Sequence, residues 1–216
     1  MLLCLDKNRR DNINKLLKRS AEYEEFTMQM LLKKNYDSSE RIRLSKVMCS
    51  VSIEHAESLK ILITTGNFTS AVGMLRSQYE SYVRAVWLFY SSSDIQLGCL
   101  GAQLDEQNAF RNEKLPMLSQ MIDELALSAP KNALDPIVEF KEQQWKPLNS
   151  YLHGGLHAIH RHSRGYPVEL LKQVLKSSNG VNGMLAMFTA VLSGNQDNVK
   201  AVSSSFNDFS DCFMRK

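Results

Sequence analysis

Glycine and proline are scarce in this sequence, with ten glycines and five prolines among 216 residues. Apolar residues recur mostly at the spacing of a helix face, and no long stretch alternates apolar and polar residues as a half-buried strand does. No internal repeat or low-complexity segment interrupts this pattern. The sequence therefore predicts a single all-α domain over residues 1–216, long enough to bury a hydrophobic core.

Cysteines are few and scattered along the chain. They occur singly, without a close pair and without the Cys/His spacing of a zinc site. The four are Cys4, Cys49, Cys99 and Cys212. A disulfide framework is not expected in a chain of this length, so the pattern favours a reducing, cytoplasmic compartment.

Long hydrophobic runs are missing as well. No stretch approaches the roughly 18 apolar residues that cross a bilayer, and the apolar run at the N-terminus is too short for a signal peptide. The formal net charge of +3 is too small to indicate nucleic-acid binding by itself. We expect a soluble protein that does not associate with a membrane.

The helical pattern predicts about eight helices packed as a bundle around a long antiparallel helix hairpin. The hairpin turns at Gly66, which suits a left-handed helix cap. In this interpretation residues 1–36 form an N-terminal helix, residues 37–165 form the core, and residues 166–216 form the C-terminal helices. The whole is one domain rather than three.

Two prolines affect the helix that leads into the most unusual part of the sequence. Asp135-Pro136 is typical of an N-cap followed by a proline in the first turn, so a helix is expected to begin there. Lys146-Pro147 is expected to interrupt or kink that helix, because proline lacks the N–H that an interior turn needs.

Acidic residues are absent from residues 143–168, although cations are not. We call residues 145–166, WKPLNSYLHGGLHAIHRHSRGY, the histidine segment. It contains Lys146, Arg161 and Arg164 together with four of the five histidines, which are His153, His157, His160 and His162. Nowhere else in the chain is charge so one-sided.

Arg76, Glu80 and Arg84 follow one another at i, i+4 spacing in the second helix of the hairpin. One interpretation is a structural polar network on a partly solvated face, worth about 0.2–0.5 kcal/mol per ion pair. The other places Arg76 and Glu80 at a seam that faces the histidine segment, where they hold a polar site.

A metal site is one possible use of the histidine segment. If the segment is helical throughout, His153, His157 and His160 share a face and could ligate Zn²⁺. Gly154-Gly155 weakens a helix between these residues, and no carboxylate lies nearby in sequence to support them. A histidine-ligated metal enzyme is therefore kept as the third alternative.

Handling a polyanion is the other use of the segment. Neutral imidazole can accept or donate a proton near pH 7, as general acid–base cleavage of a phosphodiester requires. A nearby Lys or Arg can stabilise the charge that develops on phosphate. RNA supplies its own nucleophile, the 2′-hydroxyl, so this chemistry predicts no cofactor. The alternative is a histidine-rich loop that is merely polar and exposed.

With these residues the chain resembles bacterial HEPN-like helical proteins, a group with toxin–antitoxin and abortive-infection members, and especially their uncharacterised single-domain relatives. The resemblance covers residues 47–162. It rests on the helix AVGMLRSQYESYVRAVWLFY (residues 71–90) and on a later Asn-x-x-x-His, Asn149 to His153, that is followed by glycines.

The resemblance implies a bacterial defence- or toxin-type domain, with residues 37–165 as a HEPN-like core and two protomers forming a composite site. Active members of the group are metal-independent RNA endonucleases that use an arginine shortly before a histidine. His153 matches that histidine, and Asn149 matches a polar position before it. Lys146 stands where the arginine is expected, and lysine lacks the guanidinium fork that holds phosphate at two points.

In the leading hypothesis His153, Asn149 and Lys146 carry catalysis, and Arg161, His157 and Arg164, which lie after the family's matched histidine, bind phosphate. The expected partners are a second copy of the chain, RNA, and a protein such as an antitoxin. A second hypothesis remains beside the nuclease. In it the same surface is a non-catalytic module that binds a protein or a nucleotide, and the network of Arg76, Glu80 and Arg84 is structural.

Overall fold

The backbone is helical through most of the described chain. The computed structural model describes residues 7–102 and 115–214, and these ranges contain nine α-helices and no strand. The helices are α1 (Lys7–Leu31), α2 (Glu40–Thr64), α3 (Phe68–Tyr90), α4 (Asp94–Gly101), α5 (Leu118–Ser128), α6 (Lys131–Leu152), α7 (Leu156–Arg164), α8 (Val168–Leu192) and α9 (Gln196–Asp208), followed by a short 3₁₀ helix at Ser210–Cys212. The prediction of an all-α fold is confirmed.

α2 and α3 are joined by a turn of residues 65–67. Gly66 has a φ of 82°, a left-handed conformation that glycine adopts without the steric cost of a Cβ. Arg41, near the start of α2, donates to the carbonyls of Leu88 and Phe89 near the end of α3. The two helices therefore run side by side in opposite directions.

α3 occupies the centre of the bundle, where it packs against α2, α5, α6 and α8. Its apolar stripe is buried, and Leu75, Tyr79 and Trp87 have almost no exposed surface. Burying large apolar side chains of this kind contributes about 1.5–3 kcal/mol each before conformational entropy is counted. The helix that carries Arg76 is thus held by packing on several sides.

A buried polar network ties α3 to α8. The Gln78 amide donates to the carbonyl of Ser178 and to Oδ1 of Asn182, and the Ser178 hydroxyl donates to Oε1 of Gln78. The Ser52 hydroxyl of α2 donates to the Gln78 carbonyl. Because every bond lies in the interior, the network fixes the register of these helices.

α6 differs from the helix that the prolines predict. It begins at Lys131, with Pro130 at its N-cap, so Pro136 lies in the helix interior rather than at its first turn. It also continues through Pro147 to Leu152 instead of breaking there. A proline inside a helix costs about 3 kcal/mol. Burial of Leu148 and Tyr151 in the turn after Pro147 offsets that cost.

No membrane-spanning helix occurs in residues 7–102 and 115–214, since none there is both long and apolar enough.

Candidate functional site

The end of α6 brings part of the histidine segment against α3. Trp145, Asn149 and His153 recur at four-residue spacing, so they lie on one side of this helix. Leu152 packs over Gly73 of α3, where an added Cβ would stand 3.5 Å from Leu152 Cδ1. This close approach allows side chains one turn further along α3 to reach α6.

Arg76 of α3 links both helices. Its guanidinium forms a hydrogen bond of 2.9 Å to Nε2 of His153 and another of 3.0 Å to Oε1 of Glu80. Its Cζ lies 4.6 Å from the centre of the Trp145 ring, within the range of a cation–π interaction. The side chain is only 14% exposed. Three different groups therefore hold this guanidinium in one position.

The bond between Arg76 and His153 determines which tautomer the neutral imidazole adopts. A guanidinium can only donate, so Nε2 of His153 must accept through its lone pair. The neutral ring then carries its proton on Nδ1. The ring is exposed, so its Nδ1 edge is not enclosed by the core. The pair forms a cation next to a proton-accepting nitrogen, a combination that suits phosphate chemistry.

Three buried polar atoms near these helices lack a hydrogen-bond partner among the described residues. They are Oδ1 of Asn149, Nε of Arg76 and Nε of Arg84. A buried polar atom without a partner costs about 1–3 kcal/mol. Asn149 lies one turn before His153 in the sequence of α6.

The predicted network of Arg76, Glu80 and Arg84 forms only in part. Arg76 and Glu80 make an ion pair, but Arg84 has no carboxylate partner in the described part of the chain. The guanidinium of Arg76 instead faces the histidine segment through His153. The geometry therefore agrees with a polar seam at this point more closely than with a continuous surface ladder.

The histidines do not converge on one point. His157 stacks against Tyr151 with ring centres 5.8 Å apart, whereas Nδ1 of His162 lies 3.3 Å from the Thr69 hydroxyl at the start of α3. His160 is exposed on α7. Of the predicted residues, the structure joins His153 to Arg76 and leaves the other three rings of the segment elsewhere.

The structure does not bring together His153, His157 and His160, the set of the metal alternative. α6 ends before His153, and Gly154, with a φ of 66°, turns the chain before α7 begins at Leu156. The three rings are therefore not on one helix face. No group of three or more His, Cys, Asp or Glu side chains in the described ranges is arranged to hold a metal ion.

The cations of the histidine segment lie in the second half of α6 and in the last turn of α7. Lys146 and Arg164 are exposed and Arg161 is half-buried, and none of them pairs with a carboxylate of the described residues. Burial raises the pKa of the Tyr151 hydroxyl, and the neighbouring Arg161 opposes this rise. The acidic side chain in contact with the site is Glu80, which accepts a hydrogen bond from Arg76.

One functional residue was missed by reading the sequence. Trp145 was noted only as the first residue of the histidine segment, yet its ring lies against the Arg76 guanidinium. Its position four residues before Asn149 and eight before His153 was the available signal. That signal was hidden by the expected break at Pro147, which would have separated Trp145 from the others.

Comparison with known proteins identifies a family. Residues 49–215 match the model of DUF6988, a family of unknown function. No curated protein and no solved structure is detectably similar to the chain. Because the matched residues make up well over half of the chain and include α3, α6 and α7, the protein belongs to the DUF6988 family.

Proposed function

We propose that this protein is a bacterial defence- or toxin-type domain of the HEPN kind that cleaves RNA without a metal. The observation that carries the proposal is the hydrogen bond between Arg76 and His153. The resemblance led us to expect an arginine shortly before His153, where Lys146 stands. Arg76 supplies a guanidinium at His153 from a different helix, and this supports an active rather than a degenerate site.

His153 acts in this proposal as general base and then as general acid. Its Nε2 takes the proton of the 2′-hydroxyl, the 2′-oxygen attacks the adjacent phosphorus, and the bond from phosphorus to the 5′-oxygen breaks. The imidazolium then returns the proton to the 5′-oxygen. The products are a 2′,3′-cyclic phosphate and a 5′-hydroxyl, so no further reactant is required.

Arg76 has two tasks in this scheme. It occupies Nε2 of His153 in the free protein, so the lone pair becomes available only when the guanidinium turns to the phosphate. Because a guanidinium binds phosphate more strongly than it binds neutral imidazole, RNA itself would make this exchange. Trp145 keeps the guanidinium in reach during the exchange, since stacking on the ring does not use its N–H groups.

The remaining residues bind and orient the RNA in this proposal. Lys146, Arg161 and Arg164 attract the phosphates and His157 adds a polar contact. The Oδ1 of Asn149 is buried in the free protein, so this side chain would have to turn outward to accept from a sugar hydroxyl or a base. These cations have no carboxylate partners among the described residues, so their charge is available to a polyanion.

A homodimer through the histidine segment belongs to the same proposal, as does a cytoplasmic location with an antitoxin-like protein partner. Leu156 and Ile159 of α7 are 77% and 64% exposed, and Leu152 at the end of α6 is 44% exposed. A second copy of the chain would cover these apolar side chains and bring two His153 rings toward one cleft. Sedimentation of the wild-type protein and of Ile159→Glu tests this point.

The decisive experiment measures cleavage of total RNA in EDTA by the wild type, His153→Ala and His160→Ala. We expect cleavage by the wild type, a loss of about 10²- to 10⁴-fold in His153→Ala, and little change in His160→Ala, an exposed histidine of the same segment that has no role in the proposed reaction. DNA of the same sequence should remain intact because it lacks the 2′-hydroxyl. Cleavage that EDTA stops, or that His153→Ala retains, contradicts the mechanism.

A non-catalytic binding module is the second candidate, and one observation favours it. In the free protein Nε2 of His153 is already occupied, and Glu80 compensates the charge of Arg76. A site closed in this way can recognise a ligand without reacting. Under this candidate, RNA binding measured by fluorescence anisotropy weakens in Arg76→Ala and in Lys146→Ala, while no RNA is cut under any condition.

A further inference from the structure

A cavity of about 380 Å³ lies between α3, α6, α8 and α9. It is separate from the site at His153, because none of the residues described above as that site lines it. Its volume falls within the range of about 300–1,000 Å³ that is usual for sites of small molecules. A cavity of this size in a helical bundle can therefore hold a ligand rather than a single water.

The walls of the cavity are apolar and uncharged. Aromatic and methionine side chains provide most of them, and every described residue that lines the cavity is neutral. The polar side chains are the phenols of Tyr82 and Tyr90 and the amide of Asn132. An ionised ligand would lose its hydration here without gaining an opposite charge, so the lining selects a neutral one.

Tyr82 provides a hydrogen-bonding group that has no partner. Its side chain is 97% buried, being 3% exposed, and its hydroxyl has no hydrogen bond to any described residue, whereas the buried Tyr79 hydroxyl donates to the Ile137 carbonyl at 2.7 Å. Burial raises the pKa of Tyr82, so the hydroxyl keeps its proton and remains a donor. The hydroxyl is not one of the fully enclosed polar atoms that lack a partner. Because Tyr82 lines the cavity, its hydroxyl can donate to a ligand oxygen there.

Gly180 leaves space in the wall that α8 contributes. Glycine is the least favourable helix residue apart from proline, and two glycines of α8 line the cavity. At Gly183 packing explains the choice, because an added Cβ would lie 2.8 Å from Cε1 of Phe206. At Gly180 an added Cβ would meet no atom within 4 Å. The missing side chain at Gly180 therefore preserves open volume.

We propose that this cavity is a binding site for a neutral, mainly apolar small molecule that carries an oxygen acceptor for the Tyr82 hydroxyl. The apolar walls of α3 and α8 would bury the body of the ligand, and Tyr82 would fix its orientation. The site does not depend on the proposed reaction at His153, and it can be tested in protein that cleaves no RNA.

Three probes of nearly equal size separate the parts of this proposal. They are 1-acetylnaphthalene, which is neutral and has a carbonyl acceptor, 1-ethylnaphthalene, which lacks the acceptor, and 1-naphthoate, which is charged. Binding is measured by ligand-observed NMR titration with the full chain. We expect saturable binding of the ketone, binding of the ethyl compound that is about two- to tenfold weaker, and more than tenfold weaker binding of the carboxylate.

Two substitutions then locate the site. Tyr82→Phe should weaken binding of the ketone about two- to tenfold and leave binding of the ethyl compound unchanged, because only the ketone accepts a hydrogen bond from the hydroxyl. Gly180→Leu should fill the cavity and remove binding of both neutral probes. Gly98→Leu, which places the same side chain on an exposed glycine of α4 with open space around it, is the matched control and should bind as the wild type does.

The proposal is overturned if the ketone shows no saturable binding to the wild type, or if Gly180→Leu binds it as tightly as Gly98→Leu does. Equal effects of Tyr82→Phe on the ketone and on the ethyl compound would also overturn it, since the hydroxyl would then have no role. Circular dichroism spectra of each variant are compared with that of the wild type, so that a loss of binding is distinguished from a loss of fold.

Discussion

The guanidinium of Arg76 in α3 and Nε2 of His153 at the end of α6 lie 2.9 Å apart, although the residues are 77 positions apart in the chain. The contact joins the central helix of the bundle to the segment in which most of the histidines are gathered. The contact also limits the imidazole as a base. The lone pair on Nε2 accepts from Arg76 until an anion or another acceptor binds the guanidinium instead.

The state of the His153 ring is the first testable consequence. We expect the neutral ring to carry its proton on Nδ1, because Nε2 must accept from Arg76. Long-range ¹⁵N–¹H NMR correlations of the ring distinguish the two tautomers directly. In Arg76→Met, which keeps the length of the side chain but removes its donors, the preference for Nδ1–H should be lost.

His157 is the internal control for this experiment, because it contacts Tyr151 and not Arg76. Its ring signals should remain where they are in the variant. A wild-type ring of His153 that carries its proton on Nε2 would show that the contact with Arg76 does not persist in solution, and the proposed exchange of Arg76 between His153 and phosphate would fail with it.

Much of the fold could be predicted from local patterns. The all-α class follows from helical periodicity, and the turn at Gly66 follows from the need for a left-handed residue between two long helices. The contact between Arg76 and the histidine segment was foreseen as one of two alternatives. Side-chain spacing shows that Arg76 borders the apolar stripe of α3, but not which helix lies opposite.

The remainder depends on tertiary contacts that no local pattern encodes. Pro136 and Pro147 favour a start and a break of α6, yet burial of the residues around them outweighs the lost backbone bonds. The metal alternative required a helix that continues past Gly154, where the chain turns instead. The cavity beside Tyr82 had no signal except a glycine inside a helix, which has several causes.

A buried ion pair between α1 and α2 gives a prediction about stability. Glu24 and Lys60 are in hydrogen-bond contact, and each side chain is 13% exposed. Burial raises the pKa of Glu24 and lowers the pKa of Lys60, so the interior opposes both charges. Glu24→Gln should therefore lower the free energy of unfolding by about 3 kcal/mol, because it leaves the ammonium without its counter-charge.

Replacing both partners should cost far less than replacing one. The double variant Glu24→Met with Lys60→Met removes the buried charges together and should unfold within about 1 kcal/mol of the wild type, or at a higher urea concentration. Glu25→Gln, on the exposed neighbouring position of α1, is the control and should change stability by less than about 0.5 kcal/mol. A double variant less stable than Glu24→Gln would show that the pair stabilises the fold as ions.

The attachment of the 3₁₀ helix to α1 predicts a dependence on pH. Nε of Arg19 donates to Asp211 at 3.3 Å, and this bond holds the pKa of the Asp211 carboxyl below its usual value of 3.8. A carboxylate whose pKa is lower in the folded state contributes stability above its unfolded pKa, and the contribution is lost as the pH falls through the folded pKa. The expected window is therefore the acid side of pH 4.

The measurement is the difference in unfolding free energy between the wild type and Asp211→Asn as a function of pH. The pair is partly exposed, so the difference should be only about 0.5–1 kcal/mol at pH 6. It should shrink toward zero as the pH falls below about 3, and it should also decrease in about 1 M salt at pH 6. If the difference in unfolding free energy grew as the pH fell, the pH dependence would have the opposite sign and this linkage would be excluded.

The free acceptor of Asn149 separates stability from function. Its Oδ1 is buried without a hydrogen bond to the described residues, so Asn149→Leu removes an unsatisfied polar atom and introduces a better helix former. We expect the free energy of unfolding to rise by about 1 kcal/mol in urea. Gln143→Leu, at an exposed position of the same helix, should change it by less than about 0.5 kcal/mol.

If Oδ1 is kept free for RNA, the more stable Asn149→Leu protein should bind RNA more weakly than Gln143→Leu does, by about two- to tenfold, the value of one hydrogen bond. Such a pairing of gained stability with lost binding is expected when a group is unsatisfied for a functional reason. A variant that is destabilised would show that Asn149 is a structural residue after all. A variant that is stabilised and binds RNA normally would remove Asn149 from the site while leaving Arg76 and His153 in place.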